Sequence, residues 1–247
     1  MTRGVRQIVR FNWPFYAAAV VAAAVATAVI GRMTVGGSAR SLAYLGCGVA
    51  MFWLVGSLAA SWMVYDRSPL MHWEWIRPAL GFQPRSWINI HVGLDESTPG
   101  LRAVLAGATG RAFDIFDPLE MTESSILRAR RRARHAVEAE AVDFRNLPAR
   151  SDSIGALMLL LSAHEVRTED ARRALFAEIH RVLAPGGRIV VAEHLRDWAN
   201  FVAFGPGFLH FHSRKTWRRC FARADLAVHS EFSITPFVRV FVLRRHT

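Results

Sequence analysis

His180-Arg-Val-Leu-Ala-Pro-Gly-Gly-Arg-Ile-Val-Val191 is the stretch that decides the fold. It closes an amphipathic run, Thr168 to Leu183, whose apolar residues recur at helical spacing. Ala184-Pro185-Gly186-Gly187 then stops the helix, because proline has no amide to continue it and glycine accepts the left-handed backbone of a cap. Arg188 to Glu193 follows as a short apolar strand. Upstream, the same alternation places strands at Trp87 to Val92, Ala112 to Ile115, Val137 to Val142 and Ile154 to Ser162. Helices fall at Thr98 to Ala108 and at Pro118 to His135, the latter with proline in its first turn. Strand alternating with helix predicts an α/β fold, a Rossmann-like and mostly parallel sheet covered on both faces. Leu226 to Ile234 and Phe237 to Leu243, separated only by Thr235-Pro236, predict a closing hairpin with a reversed last strand.

The residues before this unit have a different character. Phe11 to Gly31 gives 21 residues without a formal charge and Ser41 to Tyr65 gives 25, each long enough as a helix to cross a hydrocarbon core. Trp13, Tyr16, Trp62 and Tyr65 stand near the run ends, where interfacial aromatics belong. Small residues such as Gly46, Gly48, Gly56 and Ser57 would let the two helices approach closely. Residues 1–65 contain five arginines and no acid, so Asp66 is the first carboxylate in the chain. Arginines flank both outer ends more heavily than the loop between the spans, which puts both termini and the α/β domain on the cytoplasmic side of a bacterial inner membrane. The chain of 247 residues thus divides into a membrane hairpin (1–65), a connector (66–86) and an α/β domain (87–247). Trp73, Trp75, Ile76, Leu80 and Phe82 of the connector suit either the headgroup region or the face of that domain.

Composition excludes some classes. An apolar fraction of 52% rules out a disordered chain, and two cysteines in unlike surroundings offer neither a disulfide framework nor a paired-cysteine metal site. The net charge of +11 is almost all arginine. Arg128, Arg130, Arg131, Arg132 and Arg134 crowd one helix, where anionic lipid headgroups or plain solvation both account for them. Arg214, Lys215, Arg218, Arg219 and Arg223 form a second group, and no stacking motif or recognised RNA module accompanies either, so nucleic acid is not the expected partner.

The helix, Pro-Gly-Gly turn and strand of residues 180–191 resemble the corresponding segment of class I S-adenosylmethionine-dependent methyltransferases. Asp143-Phe-Arg-Asn-Leu-Pro148 is similar to another segment of that superfamily, and the terminal strand pair fits its reversed ending. The resemblance covers roughly residues 87–244. It implies S-adenosylmethionine as cofactor, with Asp114 holding the ribose and Asp143 near the adenine. Asp117 is the other acid at the end of the second strand, and it reads equally as the N-cap before Pro118. The first-strand turn departs from the family pattern. In Ile88-Asn-Ile-His-Val-Gly-Leu-Asp-Glu96 only Gly93 keeps its register, while His91 and Asp95 stand where flanking glycines belong. That implies a rearranged cofactor pocket around His91, Gly93 and Asp95, a different ligand, or none.

In an open parallel sheet the carboxyl ends of the strands share one rim, where ligands bind. His164 and Glu165 follow the fourth strand, His194 the fifth, and His210 the next connection. These four are the candidate catalytic residues, as general bases toward a methyl acceptor. Histidines and carboxylates so placed could also hold a metal ion, but no spacing matches a known metal signature, so none is assigned. Asn200 to His212, apolar and glycine-bearing, reads as an acceptor wall or lid that can touch the bilayer, or as a loop packed on the sheet. The leading expectation is a membrane-anchored methyltransferase whose acceptor is a lipid or apolar small molecule. A non-catalytic methyltransferase-like scaffold and a membrane-tethered RNA methyltransferase are the alternatives.

Overall fold

The computed structural model describes residues 3–32, 36–93, 95–133 and 139–246. Seven strands form one sheet: β1 (Ser86–His91), β2 (Thr109–Asp114), β3 (Glu140–Ala141), β4 (Ile154–Leu160), β5 (Leu183–His194), β6 (Leu226–Thr235) and β7 (Val238–Arg245), in the order β3-β2-β1-β4-β5-β7-β6. β1 to β5 pair in parallel, and β7 is inserted antiparallel between β5 and β6. Strand order reverses between β1 and β4, which puts the ligand crevice at their carboxyl ends.

The period-two alternation of β4 shows how the sequence fills two layers. Leu157 and Leu159 face one side, with Ile88, Ile90, Ile189 and Val191, under helices α6 (Glu169–Val182) and α8 (Arg214–Arg223). Ala156 and Met158 face the other, with Trp87, Val190 and Val240. That second layer is closed by α4 (Thr98–Val104) and by the connector, whose Leu70, Trp73, Ile76 and Leu80 are buried. The connector is therefore part of the α/β core; only Phe82 of its candidate interfacial residues is classed as exposed. Gly100 has no room for a Cβ beneath the Trp73 indole, so the two segments interlock.

Beyond a β2 that starts at Thr109 rather than Ala112 and an α4 that ends at Val104 rather than Ala108, two boundary shifts change the local structure. The Pro-Gly-Gly turn does not precede the strand: α6 ends at Val182, Leu183 already pairs with Ile154, and the register jumps to Arg188 opposite Ala156. Residues 184–187 are a bulge inside β5, with Gly186 at φ 77°. The helix expected from Pro118 begins only at Ser124 as α5 (Ser124–Ala133), because Asp117 closes a turn instead, its Oδ1 accepting from Leu119 N at 2.9 Å. The expected end of that helix at His135 and the start of a strand at Val137 lie outside the described residues.

Helices α1 (Arg3–Arg32) and α2 (Gly37–Trp62) form the hairpin. Both are long and apolar enough to cross a membrane, and only 6% and 0% of their most apolar windows are covered by the rest of the chain, unlike core helices. A Cβ on Gly46 or Gly48 would meet nothing within 4 Å, and Gly48 lines an open groove with Ala23, Ala24 and Ala28 of α1. The hairpin is tied at its base by Asp66, whose carboxylate accepts from Gly4 N (2.8 Å) and Val5 N (3.1 Å) at the amino end of α1.

Candidate functional site

On the cofactor side of the rim, β1 ends at His91, whose Nδ1 accepts from Gly93 N at 3.1 Å. Gly93 adopts φ 97°, which favours glycine. Asp95 Oδ1 accepts from Ser97 N (3.1 Å) and Thr98 N (2.9 Å), so this carboxylate starts α4. Asn89 Nδ2 reaches the same oxygen at 3.2 Å and lies 2.8 Å from both Ser97 Oγ and Thr98 Oγ1. Burial lowers the His91 pKa. Its Nε2 is 3.8 Å from Asp95 Oδ2, and these two atoms and Asn89 Oδ1 are buried without a hydrogen-bond partner.

Asp114 ends β2, one strand away. Its carboxylate is held by Arg130 of α5, with Nη1 at 2.6 Å from Oδ2 and 2.9 Å from Oδ1, and the guanidinium stacks on Phe116 at 4.0 Å. A Cβ at Gly93 would run into that same guanidinium. The structure thus brings His91, Gly93, Asp95 and Asp114 to one place and adds Arg130, which its position in an arginine cluster had hidden. Asp143 is exposed beyond β3 and binds Arg145 N at 2.8 Å; no contact joins it to Gly93 or Asp114 among the described residues. The arginine cluster is partly spent inside the protein, since Arg128 Nε also donates to Phe11 O at 2.5 Å. Arg134 lies outside the described residues, and of the second basic group Arg214 and Arg218 bind Glu231.

The acceptor side is built on Glu193, fully buried near the end of β5. Its Oε1 accepts from Ala163 N (2.7 Å) and His164 N (3.2 Å), and its Oε2 is 2.6 Å from His164 Nδ1. His164 Nε2 in turn lies 3.3 Å from Glu165 Oε1. Burial alone would lower the His164 pKa, but the Glu193 and Glu165 carboxylates outweigh it and raise it to about 10. Burial would raise that of Glu165, yet His164 and then His210 hold it well below the usual carboxylate range. His210, at the end of a 3-10 turn (Gly205–His210), closes the group with Nε2 at 3.7 Å from Glu165 Oε1 and Nδ1 at 3.6 Å from Glu123 Oε1. Arg167 fastens the two loops by donating to the carbonyls of His164 (3.2 Å) and His210 (2.6 Å). In the sequence Glu193 was legible only as one of the polar residues at the end of the fifth strand, with no role assigned, and Arg167 was missed because a loop arginine carries no local pattern.

His194 stands apart. Its Nδ1 donates to Phe237 O at 2.9 Å, its Nε2 is 3.4 Å from Tyr65 Oη, and its ring stacks on Phe211. Both nitrogens face protein partners, and burial followed by the nearby His164 charge lowers its pKa to about 4.

The hairpin stands on this same rim. Gln7 of α1 meets Glu96 beyond β1. Arg128 of α5 meets α1 at Phe11, and α2 packs on α7 (Trp198–Phe204), which follows β5. Trp53 lies edge-on to Phe201 at 5.5 Å and leaves no room for a Cβ on Gly205, while Gly56 sits under Ala203 O. The segment read as a wall or lid is thus α7 and the turn after it, packed against α2, with Trp198, Val202 and Leu209 exposed beside the hairpin.

Comparisons with known proteins agree with this architecture. The family described as a methyltransferase domain matches residues 104–191, starting beyond β1 and its altered turn. No curated protein matches the chain by sequence. Among solved structures, a SAM-dependent methyltransferase from Aquifex aeolicus superposes with a TM-score of 0.55 at 13% identity, over 72% of this chain and 93% of that one. Geranyl diphosphate C-methyltransferase from Streptomyces coelicolor A3(2), solved with Mg2+, geranyl diphosphate and S-adenosyl-L-homocysteine, gives 0.51 at 17% identity over 70% and 77%. The [4+2]-cyclase SpnF gives 0.50 at 15% identity over 70% and 78%. The α/β unit therefore has the fold of S-adenosylmethionine-dependent methyltransferases, residues 104–191 match the methyltransferase-domain family, and S-adenosylmethionine is the methyl donor of that class.

Proposed function

We propose that this protein is a membrane-anchored S-adenosylmethionine-dependent methyltransferase acting on a lipid or apolar small molecule at the cytoplasmic face of a bacterial inner membrane. The observation that carries it is the seat of the hairpin: α1 and α2 touch the segments that follow β1, β2 and β5, so the crevice opens beside the two membrane-spanning candidates. Trp198, Val202 and Leu209 continue the apolar surface from α2 onto the rim.

The residues fit the cofactor in kind. Asp114 offers a carboxylate at the end of β2 for ribose hydroxyls, Gly93 leaves a cradle that a side chain would fill, and orphaned polar atoms of His91, Asp95 and Asn89 border it. Arg130 occupies that cradle and must swing away for binding. When bound, S-adenosylmethionine supplies an electrophilic methyl group. The protein's own part is to position the acceptor, a role that the His164, Glu165 and His210 group can fill.

The test is transfer of labelled methyl from S-adenosylmethionine to extracted membrane lipids by the full chain in bilayer discs. Label in the lipid fraction, lost in Asp114→Ala, is the expected result. The second reading, a methyltransferase-like binding protein, is favoured by the Arg130 plug; it predicts no transfer to any lipid. Failure of folded protein to bind S-adenosylmethionine at millimolar concentration would sink the enzyme reading.

A further inference from the structure

We propose that His164, Glu165 and His210 form a binding site for one divalent transition-metal ion, of the zinc type, on the acceptor side of the rim. Nε2 of His164, Oε1 of Glu165 and Nε2 of His210 converge, and ligand atoms of these three residues all lie within 4.8 Å of one another. A tetrahedral ion with ligands at about 2.0–2.2 Å keeps its donors roughly 3.3–3.5 Å apart. Glu165 Oε1 already lies 3.3 Å from one imidazole nitrogen and 3.7 Å from the other.

The surroundings are those of a metal site rather than of a simple ion pair. Each imidazole presents its second nitrogen, Nδ1, to another carboxylate: His164 to Glu193 at 2.6 Å and His210 to Glu123 at 3.6 Å. Such partners fix which ring nitrogen is free and turn it toward the ion. Three carboxylates around two imidazoles give a negative excess that suits a dication, and the buried Glu165 Oε2 has no hydrogen-bond partner. Arg167, bound to the backbone carbonyls of both histidines, holds the loops together. The sequence grouped these three residues on one rim but gave no metal signature, since His210 comes 45 residues after Glu165.

Two imidazoles and one carboxylate leave at least one position open on the ion. In the methyltransferase reading, on which this last step alone rests, that position takes an oxygen of the acceptor. Metal binding itself is independent of that reading, so it is tested without S-adenosylmethionine or acceptor.

The full chain in detergent is loaded with zinc, dialysed against a weak chelator and analysed by mass spectrometry for metal. One zinc per chain is expected in the wild type, and near zero in His210→Ala and Glu165→Gln. Glu193→Gln should weaken binding about 10- to 100-fold. Circular dichroism reports whether each variant is folded, and X-ray absorption of the zinc-loaded wild type should show two imidazole nitrogens, which tests the site without any variant. Zinc that dialyses out of the wild type, or that folded His210→Ala and Glu165→Gln retain in full on the exposed histidines, would overturn the proposal.

Discussion

Arg130 clasps Asp114 with one nitrogen, Nη1, 2.6 Å from one carboxylate oxygen and 2.9 Å from the other, across the opening above Gly93. A guanidinium in this place competes with a ribose for the same carboxylate. Arg130→Ala should therefore strengthen S-adenosylmethionine binding. A partly exposed ion pair is worth about 1 kcal/mol, so the gain is on the order of fivefold in affinity. Calorimetry of wild type, Arg130→Ala and Asp114→Ala side by side checks it: if removing the arginine weakens binding, the guanidinium is a cofactor ligand and not a plug.

Glu193 is buried with both oxygens engaged, by two backbone amides and one imidazole. Glu193→Ala strands all three in the interior. A loss of about 3–5 kcal/mol in unfolding free energy is expected, with a smaller loss for Glu193→Gln, read by denaturant titration.

His194 carries the pH dependence at the acid side. Its pKa falls from 6.5 to about 4 in the folded protein. Between those values the unfolded chain binds a proton that the folded chain refuses, so stability declines as pH falls through this window, by up to ~1.4 kcal/mol per pH unit. His212, lowered to about 3 by burial and by Arg172, acts in the same direction. Thermal melts from pH 7 to pH 4 should show the decline, and His194→Gln should make it shallower.

Gly205 has φ 53° and its open side is filled by the Trp53 indole. Gly205→Val meets two penalties, a left-handed backbone that a β-branched residue resists by about 1–3 kcal/mol and a collision with Trp53. The expected outcome is separation of α2 from α7, seen as faster proteolysis between Trp198 and His210 with the sheet still folded. Unchanged cleavage would mean that the hairpin does not rest on α7.

The sheet was legible because each strand is an apolar run that reads alone: Ile154 to Leu160 and Arg188 to Glu193 need no partner to be recognised. The acceptor-side histidines were legible for a similar reason, since topology alone places the ends of β4 and β5 on one rim. What escaped was long-range pairing. Arg130 looked like one cation in a helical row, and nothing local said that its side chain would reach back over Gly93. The connector tryptophans had the composition of a membrane interface, and only the matching space at Gly100 shows that Trp73 belongs to the core. The Pro-Gly-Gly turn gave the right neighbours and the wrong boundary, because a bulge inside a strand and a helix terminator use the same residues.

Asp66 caps a helix by binding the amide of Gly4, 62 residues before it in the chain. During synthesis, the amides of Gly4 and Val5 have no acidic partner until both long helices have been made and their ends have come together. The hairpin therefore locks as a pair. α1 emerging alone lacks its fastening. The segments after β1 and β2 that touch α1, at Glu96 and Arg128, thus rest on a helix held at its base by that same carboxylate.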